Sequence, residues 1–409
     1  MATVVLVGTL DTKGVEHDYL RELLRGHGVD TLLVDAGVLD EPLAAPDIGR
    51  EEVARAAGAD VRALAAAGDR GAAVEAMARG AAAIVSRLHA EGRVDGVLAL
   101  GGSGGTAIAT EAMRALPVGV PKLMVSTMAS GDTRPYVGAS DVTMTYSVVD
   151  IAGINAVSAR ILTNAAAAMA GMALAEHIAD AGDRPLVGAS MFGVTTPCVT
   201  TARERLEELG YEVLVFHATG TGGQAMEALM RSGFITASLD VTTTELADDL
   251  VGGVLSAGPD RLEAAGELGL PQVVSVGALD MVNFGPIDTV PPEFRSRNLY
   301  KHNPTVTLMR TTPAECAEIG RRIGRKLNAA RGPVTLFLPL RGVSVIDTEG
   351  QVFFDPEADA ALFDALRETL DPSVDVRELD TDLNDPAFAR AMADTLHAHY
   401  ETWAAERSG

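Results

Sequence analysis

The chain has little of several residue types that particular protein classes require. Its 409 residues include 2 cysteines, Cys198 and Cys316, which gives no disulfide framework and is typical of a reducing compartment. Aromatic residues make up 4% of the chain, which favours ligand sites lined by backbone over aromatic stacking platforms. The longest apolar stretch, near 165–175, is too short to span a bilayer, and the N-terminus resembles a first strand more than a signal peptide. We therefore expect a cytoplasmic protein.

Basic residues are outnumbered, 33 against 56 acidic ones, for a net charge of −23. Such a field repels nucleic acid and anionic membranes at long range, so neither is expected as a main partner. A polyanion such as ATP must then bind locally, through backbone N–H groups, helix N-termini and Mg²⁺.

The length and pattern of the chain predict two α/β domains. A single hydrophobic core rarely serves 409 residues, and short β-branched runs alternate with helical segments throughout. We predict two tandem Rossmann-like domains with mostly parallel sheets and helices on both faces, at 1–182 and 183–409. The predicted linker is 181–185, where Gly, Pro and charged residues follow a long Ala-rich helix at 155–179.

The predicted elements of the first half place its glycine-rich segments at strand ends. Helices are expected at 15–27, from 106 onward and, as a broken pair, in 51–91. The predicted strands of the whole chain are 3–10, 31–38, 94–100, 122–127, 186–191, 211–216, 235–241, 272–276, 305–308 and 334–338.

Two segments, 8–14 (GTLDTKG) and 101–106 (GGSGGT), follow predicted strands of the first domain. Glycines let the backbone approach a ligand and direct N–H groups at phosphate oxygens, and ligands of open α/β sheets gather at the carboxyl ends of strands. Lys13 is a candidate cation and Asp11 a candidate Mg²⁺ ligand. Neither segment has the Walker A or the G-x-G-x-x-G spacing, and the alternative is a pair of tight turns that need glycine for packing.

A third strand end, 126–135, is rich in hydroxyls and carries one carboxylate and one guanidinium. These groups suit a phosphate or a ribose. A polar surface loop is the alternative interpretation.

Polar residues also follow the predicted strands of the second domain. Cys198 stands at a helix N-terminus, where the dipole lowers a thiol pKa, although a small buried residue behind Pro197 is the alternative. Together with His217, Asp280 and His302, and with Arg341 as a carboxylate clamp, it defines a possible catalytic set for a small polar acid in the cleft between the domains.

No metal site is expected from the spacing of histidines and cysteines. The acidic stretch 375–385 lacks calcium-loop spacing and is interpreted as a solvated segment.

Seven segments spread over the chain resemble the Tm-1-like ATP-binding family, also called the UPF0261 family. They are 8–14, 101–105, 126–135, 191–198, 216–223, 277–285 and 302–307. The resemblance implies two Rossmann-like subdomains with ATP in the first, a homo-oligomer, and a separate TIM-barrel protein as a possible partner. It also implies a set of nucleotide-contacting positions: Thr9, Asp11, Thr12, Lys13, Gly101, Gly102, Ser103, Gly104, Gly105, Thr106, Ser126, Thr127, Ser130, Asp132 and Arg134.

Three functions remain open on the sequence. The first is binding of Mg²⁺–ATP in the first domain. The second is an enzyme for phosphoryl transfer, ligation, hydrolysis or C–C cleavage on a small polar acid. The third is an interaction module whose oligomer is stabilised by nucleotide.

Overall fold

The structure is a computed structural model that describes residues 1–176 and 184–408. It divides into two compact units, Met1–Ala179 (unit 1) and Asp180–Gly409 (unit 2). Most of the predicted linker, with the predicted boundary and the end of the helix before it, lies outside the described residues.

Unit 1 is built on a five-stranded parallel sheet with the order β2-β1-β3-β4-β5. Its strands are β1 (Thr3–Gly8), β2 (Asp30–Asp35), β3 (Gly96–Gly101), β4 (Lys122–Ser126) and β5 (Thr143–Tyr146). Its helices are α1 (Leu10–Gly26), α2 (Arg50–Ala56), α3 (Val61–Ala67), α4 (Arg70–Ala90), α5 (Ser103–Arg114), α6 (Arg134–Val137) and α7 (Ala156–Ala173).

Side-chain alternation along the strands gives unit 1 two hydrophobic layers. Val5 and Val7 face a cluster formed with α2, α4 and α5. Val4 and Leu6 face the opposite cluster, formed with α1 and α7. Helices therefore cover both faces of the sheet, as the sequence predicted.

Unit 2 repeats this arrangement on a six-stranded parallel sheet with the order β14-β13-β9-β8-β6-β7. The six strands are β6 (Leu186–Met191), β7 (Glu212–His217), β8 (Ala237–Thr242), β9 (Gln272–Gly277), β13 (Val334–Pro339) and β14 (Asp375–Leu379). A separate antiparallel sheet contains β10 (Met281–Phe284), β11 (Leu299–Asn303) and β12 (Val306–Arg310). The helices are α8 (Thr196–Glu208), α9 (Thr221–Arg231), α10 (Glu245–Val251), α11 (Ala264–Leu268), α12 (Pro313–Asn328), α13 (Pro356–Thr369) and α14 (Pro386–Ser408).

Both glycine-rich segments of unit 1 are helix starts instead of loops. The predictions that helices begin at 15 and 106 were wrong, since α1 begins at Leu10 and α5 at Ser103. A Cβ on Gly14 would come within 2.8 Å of Leu43, so this glycine lets the helix pass close to that segment. Lys13 alone departs from helical geometry, with a φ of −129°.

Three further elements differ from their predictions. Three helices, not two, fill the region 50–90, because the chain turns between α2 and α3 as well as between α3 and α4. The predicted strand at 305–308 is part of the antiparallel sheet. The acidic stretch after 375 begins with strand β14, which stays largely exposed because it is an edge strand, paired with β13 alone.

Candidate functional site

The topology of unit 1 brings two of the predicted segments together. The order β2-β1-β3-β4-β5 reverses direction between β1 and β3, and ligands of open α/β sheets bind outside the strand ends at such a switch point. Val7 pairs with Ala99, so the segments after Gly8 and Gly101 emerge side by side.

A cavity of about 360 Å³ lies at this edge of the sheet. Both predicted segments contribute to its lining. Thr9, Asp11 and Thr12 come from the segment 8–14, and Gly104 and Gly105 come from the segment 101–106. Its full lining is Thr9, Asp11, Thr12, Ala36, Gly37, Val38, Leu39, Leu64, Ala65, Gly68, Asp69, Arg70, Ala73, Val74, Met77, Gly104, Gly105 and Ile108.

The glycines at this edge have different reasons for being glycine. A Cβ on Gly8 would lie 2.1 Å from the ring of His17, so packing alone requires glycine there. At Gly104 a Cβ would meet Val74 at 3.6 Å and Arg70 at 3.7 Å, and at Gly105 it would meet only Leu100 O, at 3.6 Å. These are ordinary contacts, so the packing alternative does not account for Gly104 or Gly105.

The N-terminus of α5 presents free positive character to the cavity. The first N–H groups of a helix have no partner within it, and the dipole adds about half a positive charge. Its N-cap is Gly102, and no side chain of the described residues caps this end. The arrangement suits an anion.

Arg70 adds a full positive charge at the same place. It lines the cavity, and one of its guanidinium nitrogens lies 3.7 Å from the position of a Cβ on Gly104. Within the described residues its guanidinium has no ion-pair partner. A guanidinium beside a helix N-terminus is electrostatically unfavourable unless an anion lies between them.

Asp11 forms part of the cavity wall and is fixed by backbone. Its side chain is 4% exposed, and its Oδ2 accepts hydrogen bonds from the N–H groups of Val38 at 3.1 Å and Leu39 at 2.9 Å. Arg50 Nη1 lies 4.0 Å from the same oxygen. The other oxygen, Oδ1, is buried without a hydrogen-bond partner in the described structure.

Three other residues that were predicted to contact the nucleotide form hydrogen bonds within the protein. Lys13 does not line the cavity, since its Nζ donates to Ile151 O. Thr106 and Ser126 are buried, and their hydroxyls hydrogen bond each other at 2.7 Å. They join the start of α5 to the end of β4.

The segment after β4 divides into an inner and an outer part. Thr127 N donates to Gly101 O at 3.3 Å, which ties this segment to the end of β3. Ser130, Asp132 and Arg134 are exposed and do not line the cavity. Arg134 donates to both oxygens of Asp132, at 2.9 and 2.7 Å, and this hydrogen bonding lowers the pKa of Asp132 to about 2. The geometry is that of the polar surface loop considered above.

Sequence reasoning missed the opposite wall of the cavity. Arg70, Leu64 and Met77 come from α3 and α4, and Leu39 from the segment after β2. Arg70 lies within the helix break at 68–71, which the sequence did show, but no local pattern indicates that α4 packs beside α5.

In unit 2, the corresponding polar groups are largely satisfied by one another. Glu245 accepts hydrogen bonds from Gly220 N at 2.7 Å and Gly223 N at 3.1 Å, so a carboxylate of the chain already occupies the N-terminus of α9. Arg261 is fully buried and pairs with Glu245 at 2.6 Å and with Asp240 at 2.6 Å. The Thr/Gly segment before α9 therefore has less to offer an external anion.

Two of the five proposed catalytic residues are buried. Cys198 is fully buried, and this burial raises the pKa of its thiol to about 12, which favours the packing role over that of a nucleophile. Asp280 lies beneath the loop after β13, where Ser344 Oγ donates to it at 2.8 Å. Burial raises the pKa of Asp280, and Arg310 nearby opposes that shift.

The other three are exposed and come from different elements. His217 packs against Phe192, with ring centroids 5.3 Å apart, and His302 lies on β11 of the antiparallel sheet. Arg341 pairs with Asp380 at 2.7 Å. Within the described ranges, no hydrogen bond, ion pair or ring contact joins any two of the five residues.

Two kinds of feature are absent from the described residues. None of their helices is long and apolar enough to cross a membrane. They hold no group of three or more His, Cys, Asp or Glu side chains placed to bind a metal ion.

The strand orders define a class, an α/β protein of two Rossmann-like units with a cavity at the switch point of the first. The chain belongs to the UPF0261 family. Residues 2–178 match the family model described as "Uncharacterised protein family (UPF0261) N-terminal domain", and residues 184–400 match that of the C-terminal domain.

Several relatives align over most of this chain. A UPF0261 protein of Clostridium tetani is 57% identical over 394 residues, covering 96% of this chain and 98% of the relative. One from Rhizobium meliloti is 50% identical and covers 96% and 97%. The tomato (Solanum lycopersicum) ToMV resistance protein Tm-1(GCR237) is 48% identical over 335 residues, covering 80% of this chain and 44% of that protein. The ToMV susceptible protein tm-1(GCR26) of tomato is 47% identical over the same length. The resistance and susceptible proteins are therefore about equally similar to this chain.

Proposed function

We propose that unit 1 binds ATP in the cavity at the ends of β1 and β3, with its phosphates at the N-terminus of α5 and with Mg²⁺ carried on the phosphates. The observation that supports this most is the open backbone at Gly104. Packing does not require glycine there, and a guanidinium nitrogen of Arg70 lies 3.7 Å from the position of a Cβ on Gly104. An anion bound to both the helix end and the guanidinium offsets the repulsion between them.

The rest of the cavity suits a nucleoside. Its volume of about 360 Å³ lies within the ~300–1,000 Å³ range of small-molecule sites. Leu39, Leu64 and Met77 contribute apolar side chains to its lining, against which a base can pack. The resemblance of these segments to the Tm-1-like ATP-binding family also favours ATP as the ligand.

The test is a Gly104→Asp variant in isothermal titration with ATP, with and without Mg²⁺. The new carboxylate would lie beside Arg70 and the start of α5, as Glu245 lies at the start of α9. We expect the variant to lose at least tenfold in affinity while its thermal stability is unchanged or higher, because an acidic residue in the first turn of a helix is stabilising.

A pair of alanine variants supplies the control. Gly104→Ala places a methyl in the cavity, whereas Gly171→Ala, in α7, places one where nothing lies within 4 Å. Each should gain up to about 1 kcal/mol of stability from helix propensity, but only Gly104→Ala should weaken ATP binding. Wild-type affinity in both Gly104 variants would refute the proposal.

The enzymatic alternative has weaker support. His217, His302 and Arg341 are exposed and come from different elements of unit 2, and Arg341 is already paired with Asp380. Nothing in the described part of unit 2 favours one reaction over another.

A further inference from the structure

The carboxylate of Asp11 has one oxygen in use and one without a partner. Oδ2 accepts two backbone N–H groups, from Val38 and Leu39. Oδ1 is buried, and in the described structure nothing donates to it. A buried acceptor without a donor is costly and rare. Asp11 is one of the residues that line the cavity, so a ligand bound there is a candidate source of the missing donor.

The charge around Asp11 decides between a cation and a hydroxyl group as that donor. Arg50 Nη1 lies 4.0 Å from Oδ2, and Arg50 Nε pairs with Asp35 at 2.7 Å. This guanidinium partly neutralises the carboxylate and repels a divalent ion. Mg²⁺ moreover keeps several waters and is usually bound through carboxylates together with substrate phosphates. A neutral O–H donor is not repelled by Arg50 and does not have to lose a shell of bound waters.

Two hydroxyls beside Asp11 complete a polar corner of the cavity. Thr9 Oγ1 and Thr12 Oγ1 are 2.9 Å apart and hydrogen bond each other, and both residues line the cavity. Each hydroxyl can donate and accept. The corner thus offers hydrogen bonds to a polyhydroxylated group, and Arg70 with the start of α5 provides the anion-binding region of the same cavity.

We propose that Asp11 binds a sugar hydroxyl of the nucleotide, so that the site selects ribonucleotides over their deoxy analogues. This inference rests on the proposed function, since it assigns the ribose within the same cavity. It replaces the earlier expectation that Asp11 holds Mg²⁺.

Titration of the wild-type chain with ATP, 2′-deoxy-ATP and 3′-deoxy-ATP tests the inference directly. A hydrogen bond to a charged group predicts that at least one analogue binds roughly 10- to 100-fold more weakly than ATP. Binding of both analogues within twofold of ATP would overturn the assignment of Asp11 and leave ATP binding in place. Binding of none of the three would overturn both proposals.

Asp11→Asn provides the matched variant. Its oxygen can still accept from Val38 and Leu39, while an NH₂ donor replaces Oδ1. The variant should bind ATP and the discriminated analogue within about threefold of each other, and Mg²⁺ should change its ATP affinity by the same factor as in the wild type. Selective loss of the Mg²⁺ effect, with discrimination retained, would assign Asp11 to the metal instead. The wild-type comparison decides the question even if this variant fails to fold.

Discussion

Among single residues, Arg70 is the one whose role depends most on packing and least on local sequence. It stands at the first position of α4, where a positive charge opposes the helix dipole. Its guanidinium also approaches the N-terminus of α5. The guanidinium is thus close to two helix N-termini, both of which are unfavourable for a positive charge. Binding of an anionic ligand by Arg70 would explain this placement.

Replacing Arg70 by alanine should therefore affect binding more than folding. We expect Arg70→Ala to weaken ATP binding about 10- to 100-fold, in keeping with a lost charge-assisted contact, and to leave adenosine binding nearly unchanged. Calorimetric titration with both ligands measures this difference. Arg79→Ala is the control, because Arg79 lies on the same helix and its side chain is 61% exposed. Equal losses for ATP and adenosine would place Arg70 away from the phosphates.

Asp248 offers a test at the same scale in unit 2. Burial raises the pKa of its carboxyl to about 7, and Asn283 Nδ2 donates to it at 2.6 Å. The folded protein thus keeps a proton on Asp248 that the unfolded chain loses near pH 4. Its contribution to stability falls as the pH rises from about 4 to 7.

Asp248→Asn cannot ionise, so its stability relative to the wild type should improve between pH 5 and pH 8, by up to about 3 kcal/mol. Urea unfolding of both proteins at the two pH values measures this difference, in which groups common to both proteins cancel. A difference that stays constant with pH would show that Asp248 is already ionised at pH 5.

At the scale of elements, the two units treat the N-termini of helices at the strand ends differently. The start of α5 is open to the cavity, whereas that of α9 is closed by Glu245. Gly223 fits this closure, since a Cβ there would lie 2.2 Å from Glu245 Oε2. Similar glycine-rich sequences therefore serve different purposes, and only the partner element distinguishes them.

Removing the closing carboxylate should destabilise unit 2. Glu245→Ala uncaps α9 and leaves Arg261 with one carboxylate fewer, for an expected loss of about 3–5 kcal/mol. Glu245→Gln retains an acceptor for Gly220 and Gly223 and should lose less. Denaturant unfolding of the two variants separates the contribution of the helix cap from that of the negative charge. Wild-type stability in Glu245→Ala would mean that the network contributes little.

The sequence predicted the positions of most helices and strands but not where the helices that follow the glycine-rich segments begin. Strand β6 was predicted with its observed bounds, because continuous apolar runs between Gly and Pro signals are distinctive. Glycine near the starts of α1 and α5 leads the sequence to predict later helix starts, at 15 and 106, since propensity disfavours glycine in helices. Tertiary contacts, such as that of Gly14 with the segment at Leu43, override that preference.

At the scale of the whole molecule, the sequence predicted one side of the candidate site and missed the other. Thr9, Asp11 and Gly104 follow strand ends, a rule that needs no tertiary information. Arg70 and the apolar wall depend on how α3 and α4 pack, and the polar residues of unit 2 depend on the buried partners that satisfy them. A net charge of −23 also makes a local arrangement of positive groups necessary for any polyanion.

Hydrogen–deuterium exchange of the full chain with and without Mg²⁺–ATP tests the location of the nucleotide most directly. We predict slower exchange in the segments that carry the cavity, 36–39, 68–77 and 101–106, and little change in 184–408. Slower exchange confined to 184–408 under saturating ATP would contradict the account and move the nucleotide to unit 2.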